Sequence, residues 1–181
     1  MPVLDRGCRE SPDGAPRAGS GAPDGQNVRM RVSAKADYAV RACAELAASP
    51  QGQPVAVETL AAGQGLPTSF LERILGDLRR GGVVVSVRGR SGGYKLARPA
   101  TEITLADVMR AAEGPLVTVR DERPPSLTYD GSAAALLDVW VALRVSVRDV
   151  LDEVTIAALV AGDLPAPIQA MLQRADAWEN P

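Results

Sequence analysis

The sequence has no histidine and only two cysteines, Cys8 and Cys43, among its 181 residues. Without histidine, the commonest general base and the commonest metal ligand are both missing. Two cysteines make neither a disulfide framework nor a zinc quartet. The glycine-rich RGRSGG segment lies between two predicted strands, which is not the setting of a nucleotide-binding loop. We therefore expect a protein that is not an enzyme.

Aromatic residues are also scarce, at 3% of the chain. The core must then consist mostly of Leu, Val, Ile and Ala, which favours helices. No window is apolar enough to span a membrane and no signal peptide is visible, so the expected location is the cytoplasm. Residues 1–29 are rich in Gly, Pro, Ala, Asp and Arg and lack periodicity. They are predicted to be a disordered extension, and Met30 is an alternative in-frame start.

The formal net charge of −2 conceals a strongly uneven distribution of charge. Residues 68–98 contain seven basic and two acidic side chains, whereas residues 99–181 contain six basic and thirteen acidic ones. Such asymmetry indicates a polyanionic partner at the basic end.

Helical periodicity begins at Ser33, a favourable N-cap, and continues to about Ala48. Cys43 lies on the apolar stripe of this helix. It is interpreted as a small core residue, with a redox sensor as the alternative. A short helix over about residues 57–64 follows. The next helix is capped by Thr68 or Ser69 and runs to about residue 80. This pair, the second with a polar face opposite an apolar one, is typical of a helix-turn-helix.

Two glycines then end the helix, and residues 83–87 are predicted to form a strand. Further glycines reverse the chain, and Tyr94 and Leu96 lie on a returning strand. The resulting basic hairpin, or wing, is predicted to carry Arg88, Arg90 and Lys95 at its tip.

Duplex DNA is the polyanion that this arrangement suits best. Arg73 could pair with a guanine edge, and Thr68 and Ser69 lie at a positive helix terminus that favours phosphate. For any single arginine, a solvated surface charge is the simpler interpretation. The predicted DNA contacts taken from the residues alone are Lys35, Thr68, Ser69, Arg73, Arg80, Arg88, Arg90 and Lys95.

A further helix follows Thr104 and ends near Glu113, and residues 116–131 are predicted to be a linker. The longest helix is expected over about residues 132–154, roughly 33 Å. Its apolar residues repeat as a heptad seam that pairs either with the same chain or, as we prefer, with a second copy. The predicted dimer interface is Leu136, Trp140, Leu143, Val147, Val150 and Val154. Residues 132–161 would be dimerisation helices and residues 162–181 a tail without an assigned role.

The motifs SFLE, LRRGG and VRGRSGGY, in that order, resemble the Rrf-type winged-helix transcription regulators over about residues 30–160. The resemblance implies a homodimer that binds a near-palindromic operator, usually as a repressor. It places Ser69, Phe70 and Arg73 at recognition-helix positions, Arg88 at a wing position, and Ser33 and Lys35 at a phosphate-contacting helix end.

Cluster-binding members of this family carry three cysteines between the fourth helix and the dimer helix, and residues 117–131 contain none. No metal or iron–sulfur cofactor is therefore expected. The segment LLDVWVALRVSVRDVLDEVTIAAL resembles the corresponding helices of the cluster-free, CymR-like branch. That branch senses through a partner enzyme, a small ligand or a thiol.

The predicted fold is mainly α: a winged helix-turn-helix domain over residues 30–115 with a small β-hairpin wing, and a long C-terminal dimerisation helix. The predicted function is sequence-specific transcription regulation. The alternative is an interaction module whose long helix binds another protein, with DNA binding weak or lost.

Overall fold

The computed structural model describes residues 32–179. The predicted extension at residues 1–29 and the alternative start at Met30 lie outside the described residues.

Within residues 32–179 the chain forms seven α-helices and one two-stranded antiparallel sheet. The elements in chain order are α1 (Ala34–Ala48), α2 (Val57–Gln64), α3 (Thr68–Arg80), β1 (Val84–Val87), β2 (Gly93–Leu96), α4 (Leu105–Glu113), α5 (Leu136–Glu153), α6 (Ile156–Ala161) and α7 (Ala166–Leu172). The predicted fold class is thereby confirmed. In this described part of the chain, no helix is long and apolar enough to cross a membrane.

The starts of α1 and α4 are set by their capping residues. The Ser33 hydroxyl accepts a hydrogen bond from the Ala36 N–H at 3.1 Å. Thr104 and Asp107 form a capping box, in which each side chain accepts from the other residue's backbone N–H. These local bonds satisfy amides that have no partner inside the helix, so sequence predicted both starts correctly.

The predicted cap of α3 is wrong. Thr68 is already helical, and the preceding residue is Pro67, whose side chain makes no capping bond. The Pro67 carbonyl instead accepts from the N–H groups of Phe70 and Leu71, at 3.0 and 3.2 Å. Because the proline ring holds φ at −59°, near the helical value, the chain enters the helix without a side-chain acceptor.

The core lies between α1 and the inner face of α3. Leu71, Ile74, Leu75 and Leu78 are fully buried, as their spacing predicts, and Cys43 of α1 lies among them. Burying each such leucine or isoleucine side chain contributes about 1.5–3 kcal/mol. This apolar face therefore turns the opposite face of α3 towards solvent.

The wing is a hairpin joined to the segment before α2. Val84 pairs with Leu96 and Val87 with Gly93 across the two strands. Val55 adds a bridge to Tyr94 through two backbone hydrogen bonds of 2.8 and 2.9 Å. These bonds attach the wing to the residues that lead into the helix-turn-helix.

The long helix α5 is shorter than predicted. It contains 18 residues, which corresponds to about 27 Å, and a 3-10 turn at Gly131–Ala133 precedes it. Val154 is extended rather than helical, and its carbonyl accepts from the Leu105 N–H at 2.9 Å. This pairing with the start of α4 ends the helix before Val154.

The segment predicted to be a linker is folded. A 3-10 turn at Pro124–Ser126 packs against α5, and Pro124 and Leu127 are buried. The Trp140 indole N–H donates to the Tyr129 hydroxyl at 3.1 Å. The prolines in this polar stretch favoured an extended linker in the sequence analysis. In the structure they provide apolar surface that packs against α5.

Two antiparallel backbone contacts attach the end of α5 to the residues at the start of α4. Besides the bond from Leu105 to Val154, the Ile156 N–H donates to the Ile103 carbonyl at 2.8 Å. Ile156 of α6 is fully buried. A further helix, α7, follows and buries Ile168, although no helix of that extent was predicted in the tail.

Candidate nucleic-acid interface

The outer face of α3 presents polar and charged side chains around a shallow depression. Ser69, Arg73 and Arg80 are exposed, and Gly76 leaves space between them. Glu72 lies on the same face and is also exposed. A face that carries both arginine and carboxylate can distinguish bases, because arginine pairs with guanine and a carboxylate accepts from cytosine N4.

Lys35 is already engaged within the protein. Its ammonium lies 2.7 Å from an Asp77 carboxylate oxygen and also donates to the Ala112 carbonyl. The bond from Lys35 is the main reason that the pKa of Asp77 is lowered from its usual value. Lys35 therefore links α1 to α3 and α4, and its predicted phosphate contact would require it to leave these partners.

The Ser33 hydroxyl is similarly occupied. It accepts from the Ala36 N–H as the α1 cap and donates to a carboxylate oxygen of Glu113 at the end of α4. Its predicted place at a phosphate-contacting helix end stays a prediction, since a cap hydroxyl that is also bonded to a carboxylate has little capacity left for a phosphate.

Phe70 is half-buried at the start of α3 and meets Tyr38 edge to face, with ring centroids 6.1 Å apart. The guanidinium of Arg41 lies 5.3 Å from the centre of the Tyr38 ring. Thr68, two residues earlier on the same end, is half-buried. Phe70 thus anchors the recognition end of α3 to α1, which orients Ser69 and Arg73.

Arg80 is exposed and pairs with Asp77 on its own helix. Arg79, which sequence analysis did not select, reaches the Ser86 hydroxyl on β1 at 3.5 Å. The end of α3 and the wing are therefore joined by a side-chain contact.

On the wing, Arg88 and Arg90 lie in the turn between the strands and are exposed. Lys95 is exposed too, but it belongs to β2 and pairs with Val85. Its predicted position at the tip is wrong, because the returning strand begins two residues earlier, at Gly93. Two arginines, rather than three basic side chains, occupy the turn.

Sequence analysis missed two residues that shape this face, Tyr38 and Asp77. Tyr38 supports Phe70, and Asp77 holds Lys35 and Arg80. The i,i+3 spacing of Asp77 and Arg80 on one helix was a visible signal for the second pair. The contact with Lys35 joins residues far apart in sequence and needed the tertiary structure.

The side chain of Cys43 is buried, and this burial raises the pKa of its thiol to about 12. A thiol with such a pKa stays protonated at neutral pH and is a poor nucleophile. The structure therefore favours the core interpretation of Cys43 over the redox one.

The side chains of the predicted dimer seam are only partly exposed to solvent. Leu136, Trp140, Leu143, Val147 and Val150 are half-buried against their own chain. Val154 is buried, with 3% of its surface exposed, and is unavailable to a second copy. Val139, which was not predicted, adds an apolar side chain that is 55% exposed beside the seam.

Comparison with known proteins agrees with this geometry. The family model of Rrf2, described as an iron-dependent transcriptional regulator, matches residues 32–162. Rv1287 of Mycobacterium tuberculosis, which is named as a helix-turn-helix-type transcriptional regulator, is 50% identical over 151 residues, covering 83% of this chain and 94% of the relative. CymR of Bacillus subtilis is 32% identical over 135 residues, covering 73% of this chain and 91% of CymR.

Two solved structures extend the comparison. The structure of B. subtilis CymR, described as the global cysteine regulator, matches with a TM-score of 0.63 at 30% identity, covering 74% of this chain and 98% of that one. IscR of T. potens matches with a TM-score of 0.60 at 32% identity, covering 82% and 96%. These matches do not favour the alternative of a protein-interaction module. The chain belongs to the Rrf2 family and is a transcriptional regulator rather than an enzyme.

Proposed function

We propose that this regulator binds a near-palindromic operator as a cytoplasmic homodimer and acts as a repressor. The observation that carries the proposal is the joint exposure of Ser69 and Arg73 on α3 with Arg88 and Arg90 on the wing. In this arrangement the helix lies in the major groove and contacts base edges, while the wing beside it contacts phosphates. Two copies joined through α5 would place their helices about one turn of DNA apart, or roughly 34–36 Å.

Arg73 and Arg88 are expected to contribute directly to operator affinity. Replacing either with alanine should weaken binding by about 1–3 kcal/mol, because each loses a charged hydrogen bond to a base or phosphate. Gel shift or fluorescence anisotropy on the gene's own upstream region measures this loss. The salt dependence should also flatten in each variant, since one counterion fewer is released.

The matched control is Arg174→Ala, in the C-terminal tail, which removes an exposed arginine whose ion-pair partner among residues 32–179 is the nearby Asp176. It leaves the net charge equal to that of the other variants. Affinities of Arg73→Ala and Arg88→Ala equal to this control would refute the assignment of the interface.

We also propose that this chain regulates without an iron–sulfur cluster. Among residues 32–179 no three His, Cys, Asp or Glu side chains lie close enough to hold a metal ion. Cys43 is enclosed in the core, and the whole sequence adds only Cys8 to the possible thiolate ligands. The residues present do not fit the three-cysteine ligand set of cluster-binding relatives.

Protein purified without oxygen should therefore be colourless, and iron and sulfide should be substoichiometric in chemical analysis. Cys8→Ser provides the control, because it removes the one cysteine of the sequence other than Cys43. A visible absorption band with bound iron in the unsubstituted chain would contradict the proposal.

A further inference from the structure

A cleft of about 490 Å³ lies between the end of α4, the residues that follow it, and α5. This volume is within the usual range of small-molecule pockets, about 300–1,000 Å³. Four arginines from three separate parts of the chain line it: Arg110, Arg123, Arg144 and Arg148.

The positive charge of this cleft is incompletely balanced. Asp152 accepts hydrogen bonds from Arg110, at 3.0 and 3.2 Å, and from Arg148 at 3.3 Å. In the part of the chain that the structure describes, neither Arg123 nor Arg144 forms an ion pair, although Arg144 is half-buried. Like charges that line one cleft repel one another, and an anion between them would reduce that repulsion.

The cleft also has an apolar wall, formed by Pro115, Leu116 and Val117 directly after α4. Guanidinium groups recognise carboxylates and phosphates through paired N–H donors. Arginines on one side and short aliphatic groups on the other suit a ligand that has both an anionic group and a small carbon skeleton.

We propose that this cleft binds a small organic anion, with a carboxylate or phosphate group held by the arginines. Asp152 belongs to α5 and Arg110 to α4, so an anion that competes for Arg110 and Arg148 would loosen the joint between these helices. The effect would reach the recognition helix through Lys35, which contacts both Ala112 on α4 and Asp77 on α3. This control of operator binding rests on the proposed function, whereas the binding site itself does not.

The binding test uses succinate, glycerol 3-phosphate and inorganic phosphate as probes on the full chain, by calorimetry at constant ionic strength. At least one organic probe should bind saturably, with a Kd below about 1 mM. The variant Arg123→Gln/Arg144→Gln should weaken that binding at least about tenfold. These two arginines support no ion pair among the described residues, so their loss should leave the circular dichroism spectrum unchanged and should not lower the melting temperature.

Arg174→Gln is the matched control and should bind the probe as the unsubstituted chain does. Absence of saturable binding, or equal binding by the Arg123→Gln/Arg144→Gln variant, would overturn the site. Inorganic phosphate binding as tightly as both organic probes would overturn the role of the apolar wall and with it the organic ligand.

Two further outcomes would assign the arginines to other partners. If the double variant binds operator DNA more weakly without any probe, the cleft contacts phosphates of DNA. If it becomes monomeric, acidic side chains of a second copy occupy the cleft. Either result would overturn the proposal.

Measuring operator binding with and without the probe distinguishes the anion site from the proposed function. A saturating probe should change operator affinity several-fold in the unsubstituted chain and leave the double variant unaffected. Probe binding with no operator binding at all would refute the proposed function while supporting the site. Operator binding that ignores a bound probe would refute the regulatory step.

Discussion

Replacing Leu143 and Val147 with glutamate is expected to produce a folded monomer that no longer binds a palindromic operator. The two residues are four positions apart and therefore lie on one side of α5. Each would place a carboxylate, in both copies, inside an apolar interface. Burying an unpaired charge costs several kcal/mol after relaxation. The dissociation constant of the dimer should therefore rise by at least about a thousandfold.

The structure guides the choice of these two positions. Trp140 belongs to the same seam, but its indole also donates to the Tyr129 hydroxyl. Substituting it would open the fold of a single chain as well as the dimer. Leu143 and Val147 are half-buried, and their side chains have no polar atoms, so their substitution removes no side-chain hydrogen bond.

Val145→Glu is the matched control. Val145 is 45% exposed and lies two residues from both sites, about 200° around the helix from each. It should remain dimeric in light scattering, and circular dichroism should show that every variant keeps its helix content. A double variant that stays dimeric would assign the seam to packing within one chain.

Gly93→Ala is expected to lower the free energy of unfolding by about 2–5 kcal/mol and to displace the wing. A Cβ at this position would lie 2.3 Å from the Val55 carbonyl oxygen, and the backbone φ of +151° is one that residues with side chains rarely adopt. The bridge between Val55 and Tyr94 depends on this close approach. Urea denaturation measures the loss of stability.

Gly89→Ala separates the two causes. Gly89 also has a positive φ, of +116°, but nothing lies within 4 Å of its Cβ position. It should lose only the backbone contribution, about 1–3 kcal/mol. Equal losses at the two glycines would mean that contact with Val55 contributes nothing to the stability of the wing.

How much of this protein the sequence predicts varies from one helix to the next. The end of α2 and the starts of α1 and α4 follow from glycine, serine and threonine signals next to the helix itself. The start of α3 does not follow, because Pro67 supplies a carbonyl acceptor where a hydroxyl was expected. The end of α5 was also misplaced, since it depends on the strand-like pairing of Val154 with α4.

The candidate interface shows the same division. Exposure of Arg73 and Arg88 follows from helical periodicity and from the glycines of the wing, both of which are local. Lys35 on α1 forms an ion pair with Asp77 on α3, and these two residues are close only because the helices pack together. A basic residue on an outer face could therefore be identified from its spacing, but its freedom to contact DNA could not.

The sequence by itself determined the class of protein: its helices, its basic hairpin and the absence of a catalytic histidine. These properties depend on periodicity and turns, which involve residues near one another in the chain, and on composition. Tertiary structure alone decided which charges are already paired, that Pro124–Ser126 packs against α5, and that four arginines meet in one cleft. The physical reason is that ion pairs and clefts depend on contacts across the fold, such as that of Arg110 with Asp152, 42 residues later in the chain.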